Sequence, residues 1–208
     1  MGVTLEPLTP DRRRQQTREH LLAAAAQVFA ERGFHGATLD AVAAAAGFSK
    51  GAVYSNFKSK EDLFLSLLES SYSREMESLW GTLEASETPP EARLTDFLPL
   101  ILGGTDPSLS PEDWTVLYME FALFSVRNPA ARRRLAELDE ANITAVAELI
   151  ASEQMGLKDF ASVKSAARII EALFRGLGLM RTIDPDAVDA ALMESALAFV
   201  SRALTVET

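Results

Sequence analysis

Residues 38–60 read TLDAVAAAAGFSKGAVYSNFKSK, and this stretch decides the fold. Thr38 can cap a helix in which Leu39, Val42, Ala43 and Ala46 share one face, and Gly47 ends it. Ser49 caps a very short second helix, where Val53 and Phe57 point the same way one turn apart. Two such helices joined by Ala46-Gly47-Phe48-Ser49 make a helix-turn-helix, whose second helix can enter a major groove. With Val53 and Phe57 toward the core, Lys50, Gly51, Tyr54 and Ser55 lie on or near the opposite face. That surface offers a cation, a bare stretch of backbone, a phenol and a hydroxyl, the groups that phosphates and base edges require. Lys58 and Lys60 follow where a duplex backbone would pass. Thr38, at a helix N-terminus, can present its hydroxyl and free amides to a phosphate.

Outward from this motif the pattern is helical almost throughout. Residues 12–32 place Leu21, Leu22, Ala25, Val28 and Phe29 on one face, and Gly33 is expected to stop that helix in the left-handed conformation. Ser59 and Asp62 resemble a capping box that starts a long helix striped by Leu63, Phe64, Leu67 and Leu68. Pro89 and Pro90 mark a break within residues 84–91. Further helices are expected near 91–102, 111–127, 129–155, 160–182 and 185–204, with Pro111, Pro129 and Pro185 each at a first helical position. No stretch alternates with period two. The reading is all-α: an N-terminal three-helix helix-turn-helix DNA-binding domain with its arm over 1–60, and a helical ligand-binding and dimerisation domain over 61–208.

Charge divides the chain at the same place. Of a formal net charge of −10, residues 1–60 carry +3 and residues 61–208 carry −13, which suggests an anion-facing module on an acidic body. Chance clustering on solvated faces is the plain alternative. The sequence has no cysteine and two histidines, His20 and His35. That composition leaves out disulfides and thiolate metal sites, suits a reducing cytoplasm, and calls for no cofactor. No apolar run approaches the ~20 residues of a membrane span, and the first ten residues lack the apolar core of a secretion signal. An enzyme on a helical bundle is the first competing class, but no Glu-x-x-His, paired histidine or Gly-rich phosphate loop appears. A DNA-binding protein without sequence preference is the second, and the acidic body argues against it.

Residues 15–69 resemble the TetR family of transcriptional regulators. The resemblance lies in VFAERGFHGATL at the end of the first helix, the helix-turn-helix, and YSNFKSKEDLF after it. It implies a cytoplasmic homodimer, usually a repressor, released from a palindromic operator by a small ligand. It also implies that Thr38, Lys50, Tyr54, Asn56 and Lys60 touch DNA, mostly its phosphates, and that Ser49, Gly51, Ala52 and Ser55 face the groove. Ala52 stands where the family frequently has threonine, which leaves only apolar contact there, for example with a thymine methyl.

Beyond the motif, Trp80, Phe97, Trp114, Tyr118, Phe121, Phe124 and Phe174 supply aromatic surface. Each taken alone reads as core; the resemblance implies a ligand cavity that some of them line. An apolar site in an acidic body favours a largely hydrophobic, neutral or cationic ligand. Glu120 and Arg127 read as a structural ion pair or as the polar handle of that site, with structure favoured. Arg12-Arg13-Arg14 is either an arm reaching a minor groove or a solubilising run. Near-heptad apolar spacing at Phe160, Val163, Ala167, Ile170, Phe174 and Leu177, and at Val188, Ala191, Leu192, Ser195, Phe199 and Ala203, predicts a four-helix dimer interface. Ala172, Gly176 and Gly178 would allow close approach there.

Overall fold

The computed structural model describes residues 9–87, 96, 109–152 and 160–205. These residues form eight helices and no strand: α1 (Pro10–Gly36), α2 (Leu39–Ala46), α3 (Lys50–Asn56), α4 (Lys60–Ala85), α5 (Pro111–Arg127), α6 (Pro129–Ser152), α7 (Phe160–Ile183) and α8 (Ala190–Thr205). The helix expected near 91–102, and Phe97 with it, lie outside the described residues. The chain divides into two compact units, residues 1–67 and 68–208, so the division falls inside α4 rather than ahead of it.

In the first unit, Leu21, Ala25, Val28 and Phe29 are buried on one face of α1, as the periodicity predicts. Gly33 has φ +66° as expected of a helix stop, but its ψ of 173° lies outside the left-handed well. That region of backbone space is open to glycine alone. The kink lets the chain run on through Phe34, whose ring meets Phe64 edge-on at 5.6 Å while Phe29 meets the same ring at 5.4 Å. The Nζ of Lys60 donates to the His35 carbonyl at 3.0 Å and lies 4.7 Å from the centre of the Phe34 ring, which holds the kink from outside.

The helix-turn-helix forms from local chemistry. The Thr38 hydroxyl accepts from the Ala41 N–H and the Ser49 hydroxyl from the Ala52 N–H, so both N-caps are as the sequence indicates. Gly47 is left-handed (φ +69°, ψ 22°). The N–H groups of Gly47 and Phe48 bond back to Ala44 and Ala43 in a Schellman closure of α2. Ser59 accepts from the Asp62 N–H at 3.1 Å, and the Asp62 carboxylate accepts from the Lys58 N–H at 2.9 Å, a capping box shifted by one residue.

In the second unit, Leu83 of α4, Ile143, Ala147 and Ile150 of α6, Val163 and Ala167 of α7, and Val200 of α8 form one buried core. Ser110 and Asn128 cap α5 and α6 ahead of Pro111 and Pro129. Pro185 departs from expectation. Asp184 accepts from the Ala187 N–H at 3.0 Å and closes a separate turn, and α8 begins only at Ala190, capped by Asp189. Val188 between them is buried, so a single helix from Pro185 gives way to a plugged turn.

The face of α7 expected at a subunit interface is largely the inward one. Val163 and Ala167 are in the core and Ile170 packs against it, while Ile169, Met180 and Ile183 are exposed alongside Ala172 and Gly176. Both faces of α7 are apolar, so a near-heptad count alone cannot say which turns inward. Gly178 also belongs inside: a Cβ there would stand 3.2 Å from the Thr115 hydroxyl of α5. On α8 the expected face stays outside, with Leu192, Ser195, Phe199 and Ala203 exposed.

The backbone at Gly33 generates a testable expectation. Gly33→Ala should lower the stability of the first unit by about 1–3 kcal/mol, the cost of forcing a Cβ into that conformation. Urea unfolding followed by circular dichroism checks it, and an unchanged midpoint would refute the strain.

Candidate nucleic-acid interface and ligand cavity

Burial fixes how α3 is oriented. Val53 and Phe57 are 0% and 1% exposed, and each contributes on the order of 1.5–3 kcal/mol of apolar burial. Tyr54, on the other side, is 57% exposed. Ser49, Lys50, Gly51 and Ser55 are exposed with it, as are Thr38 and Lys58. A Cβ at Gly51 would meet only the Ser49 hydroxyl, at an ordinary 3.7 Å, so the fold does not itself require glycine there. The two capping hydroxyls accept bonds from the backbone and each keeps its own O–H for an outside acceptor.

Other groups on this surface have internal partners. Lys50 forms an ion pair with Asp40, and that hydrogen bond raises the ammonium's pKa. The Asn56 amide donates back to the Ala52 carbonyl at 2.8 Å, as Ser55 does at 2.9 Å. Ala52 and Asn56 are only partly exposed. Lys60, expected on DNA, is committed to His35 and Phe34. The sequence reading missed Arg18: its guanidinium lies 4.6 Å from the centre of the Phe57 ring and donates to the Asn56 carbonyl at 3.4 Å. It braces the C-terminal end of α3, where a cation also suits the helix dipole.

The second unit contains a cavity of about 220 Å³. Of the aromatic residues expected around a ligand, Trp114, Tyr118 and Phe174 line it, together with Tyr72 of α4. Trp80 does not, and is 38% exposed; Phe121 is wholly buried in the core and stacks obliquely with Phe124 at 5.8 Å, and neither faces the cavity. Glu120 and Arg127 also stand away from it.

Its polar wall was not anticipated. Arg175 donates to Glu171 at 2.6 Å, to the Tyr72 hydroxyl at 3.0 Å and to Asp139 at 3.2 Å, and bonds the Tyr118 hydroxyl as well. Both phenols in turn donate to Asp139, at 2.8 and 2.7 Å. Burial, reinforced by Asp139 against the opposing pull of Arg175, raises both phenol pKa values, so they stay protonated donors. Burial alone would lower the Arg175 pKa, but the surrounding oxygens outweigh it and the net direction is upward. Glu75 also lines the cavity. Burial first, then repulsion from Glu171, against the attraction of Arg175, pushes its carboxyl from the ordinary 4.5 up to about 7.

A helix-turn-helix followed in the chain by a helical unit that contains a cavity defines a class of regulatory proteins. Residues 21–67 match the family model for bacterial regulatory proteins of the tetR family, and residues 90–205 match that for the C-terminal part of BetI-type transcriptional repressors. The chain belongs to the TetR family. It is similar to the transcriptional repressor DhaR of Mycobacterium sp. (strain GP1), at 34% identity over 45% of this chain and 47% of that protein. It is also similar to the transcriptional activator FasR of Mycolicibacterium smegmatis, at 45% identity over 27% of this chain and 26% of that protein. The match thus spans about half the length of these curated relatives or less. A TetR-family regulator from Rhodococcus sp. shares the fold with a TM-score of 0.74 at 22% identity, over 92% of this chain and 100% of that one. So does a transcriptional regulator from Saccharomonospora viridis solved in complex with choline, with a TM-score of 0.66 at 21% identity over 88% and 94%. Among the described residues no helix is long and apolar enough to cross a membrane.

Glu75 sets a pH dependence. Its folded pKa lies above the unfolded value, so between about 4.5 and 7 the folded chain holds the proton more tightly. Stability therefore falls as pH rises through that window and stays lowered above it. Glu75→Gln removes the ionisation: melting curves should coincide near pH 4 and separate by about 2–4 °C or more at pH 8, the variant being the more stable. Equal melting temperatures at pH 8 would refute the buried ionisation.

Proposed function

We propose that this protein is a ligand-responsive transcriptional repressor that binds a palindromic operator as a homodimer in the cytoplasm. The observation that carries the reading is the two-sidedness of α3, with Val53 and Phe57 locked inward and Lys50, Gly51, Tyr54 and Ser55 outward. A helix anchored in this way presents a fixed set of groups to a major groove. Thr38, Ser49, Lys50, Tyr54 and Lys58 suit phosphate contact, while Gly51, Ala52 and Ser55 lie where base edges would pass. Asn56 and Lys60 act in support, through the α3 backbone and the kink after α1.

The exposed apolar strip of α7 and α8 supports the dimer. Ile169, Ala172, Gly176, Met180 and Ile183 alternate by three and four residues, and Phe199 and Leu192 stand exposed one heptad apart. Gly176 has open space around it, which permits a close helix crossing. Binding to successive major grooves of a palindrome would require recognition helices roughly 34–36 Å apart in such a dimer, or more if grooves are skipped. The cavity supports a small effector, since its volume of about 220 Å³ falls below the ~300 Å³ of the smallest drug-sized sites, and the Leu68, Leu79, Trp114, Met119 and Phe174 side chains that line it support a largely apolar one. α4 supplies cavity residues (Leu68, Tyr72, Glu75, Leu79) and core residues of the first unit (Leu63, Phe64), so ligand binding acts on a helix shared with the DNA-binding fold. Release follows if the ligand prefers a conformation that does not fit the operator.

Three measurements test this. Operator DNA selected from a random pool should yield a discrete palindrome. Lys50→Ala and Tyr54→Ala should then weaken binding with helix content intact, Lys50→Ala lowering the salt slope by about one per site. Unchanged affinity in both variants at matched salt would remove the assignment of α3. Sedimentation should give a dimer of the 22.6 kDa chain, and Phe199→Glu with Gly176→Glu should give monomers that lose operator affinity. A wild-type monomer at micromolar concentration would refute the interface.

A further inference from the structure

A carboxylate in an apolar, aromatic cavity is costly unless a cation meets it. Glu75 is in that position: among the described residues it makes no hydrogen bond and no ion pair. The cavity's two guanidiniums are already matched. Arg175 is held by Glu171 and Asp139, and Arg181 pairs with Glu112 at 3.2 Å. Four carboxylates therefore face two guanidiniums in and behind this wall, an excess of two negative charges when Glu75 is ionised. The rings of Tyr72, Trp114, Tyr118 and Phe174 border the same space, and aromatic faces attract cations as well as apolar groups. One face of Tyr118 is taken by Arg175, whose guanidinium lies 4.0 Å from its centre.

We propose that the effector is an organic cation, an amine or quaternary ammonium with a compact apolar body, and that Glu75 is its counter-ion. This rests on reading the cavity as the effector site and goes further by naming the ligand's charge and the residue that reads it. An anion would face the surplus carboxylates with no uncommitted guanidinium to receive it. A neutral hydrocarbon would fill the volume but leave Glu75 without a partner.

The pairing has a proton-linked consequence. Glu75 is part-protonated near neutrality, and a cation beside it favours the carboxylate, so binding expels a proton. The groups that share its surroundings are Tyr72 on α4, Glu112 and Tyr118 on α5, Asp139 on α6, and Glu171, Arg175 and Arg181 on α7. Burial keeps the two phenols protonated and the surrounding oxygens hold Arg175 charged, while the Glu75 carboxyl is pushed up to about 7 and titrates in this range.

Calorimetry on the full chain with three probes of similar shape tests the assignment: benzyltrimethylammonium chloride, its neutral analogue neopentylbenzene, and the anion 4-tert-butylbenzoate. The cation should bind about tenfold or more tightly than the neutral probe. In buffers of different ionisation enthalpy it should release about half a proton at pH 7, falling toward none at pH 9. Glu75→Gln should lose the cation preference and the proton release, so that the neutral probe binds it at least as tightly as the cation does. If the neutral probe binds and the cation shows no advantage, or if the Gln variant keeps that advantage, the counter-ion assignment is overturned while the effector cavity stands. If none of the three binds a protein that still binds its operator, the cavity reading falls too.

Discussion

A guanidinium brought part-way out of water has to be surrounded by acceptors, and in the second unit that requirement falls on Arg175. Its donors are met by Glu171 one turn away on α7, by Tyr72 on α4, Tyr118 on α5 and Asp139 on α6. Four helices are thereby registered against one side chain. Apolar packing brings α4, α6, α7 and α8 together but is tolerant of sliding, because a methyl fits many positions. A fork with fixed directions is not tolerant, and it sets the helices so that Tyr72, Tyr118 and Phe174 border one space. The close seat of Gly178 against Thr115 agrees with that register, since a Cβ there would stand 3.2 Å from the Thr115 hydroxyl and require that side chain to give way by a few tenths of an ångström. The same satisfied network explains why Glu75 is left over: the positive charge beside it is already shared among stronger partners.

The first unit is governed differently. Its polar groups act locally, as caps and backbone closures within a few residues, and its long-range order comes from rings. Phe29, Phe34 and Phe64 meet at 5.4–6.2 Å, and the detour at Gly33 exists to bring Phe34 into that group. Arg18 extends the principle by lying over Phe57 while reaching the end of α3. The outward face of α3 is thus defined by what its inward face is pinned to, and the exposed side chains could change without moving the helix.

This contrast explains how much was legible in the sequence. Caps, glycine stops and one-turn apolar pairs are written in neighbouring residues, so Thr38, Gly47, Ser49 and the Val53/Phe57 anchor could be placed from the chain alone. Trp114, Tyr118 and Phe174 could be named as candidates for a cavity wall, but Phe121 and Trp80 look the same in a linear pattern and lie elsewhere. Glu75, Arg175 and Arg18 gave no such signal. Each is a charged residue on an amphipathic helix, the pattern of a solvated face, and its partners lie 38–103 residues away in the cases of Arg18 with Asn56 and Arg175 with Tyr72. Pro185 misled for a related reason: Asp-Pro opens a turn as readily as a helix, and only the burial of Val188 decides between them.

The ion pair between Lys50 and Asp40 has a consequence for the proposed orientation of α3. A lysine that already has an anion gains less from a phosphate than a bare one, and Asp40 would be repelled by a duplex lying along this face. On that reading a phosphate would have to draw the ammonium from its carboxylate, so one surface carboxylate would lower what a loosely fitting site gains from this lysine.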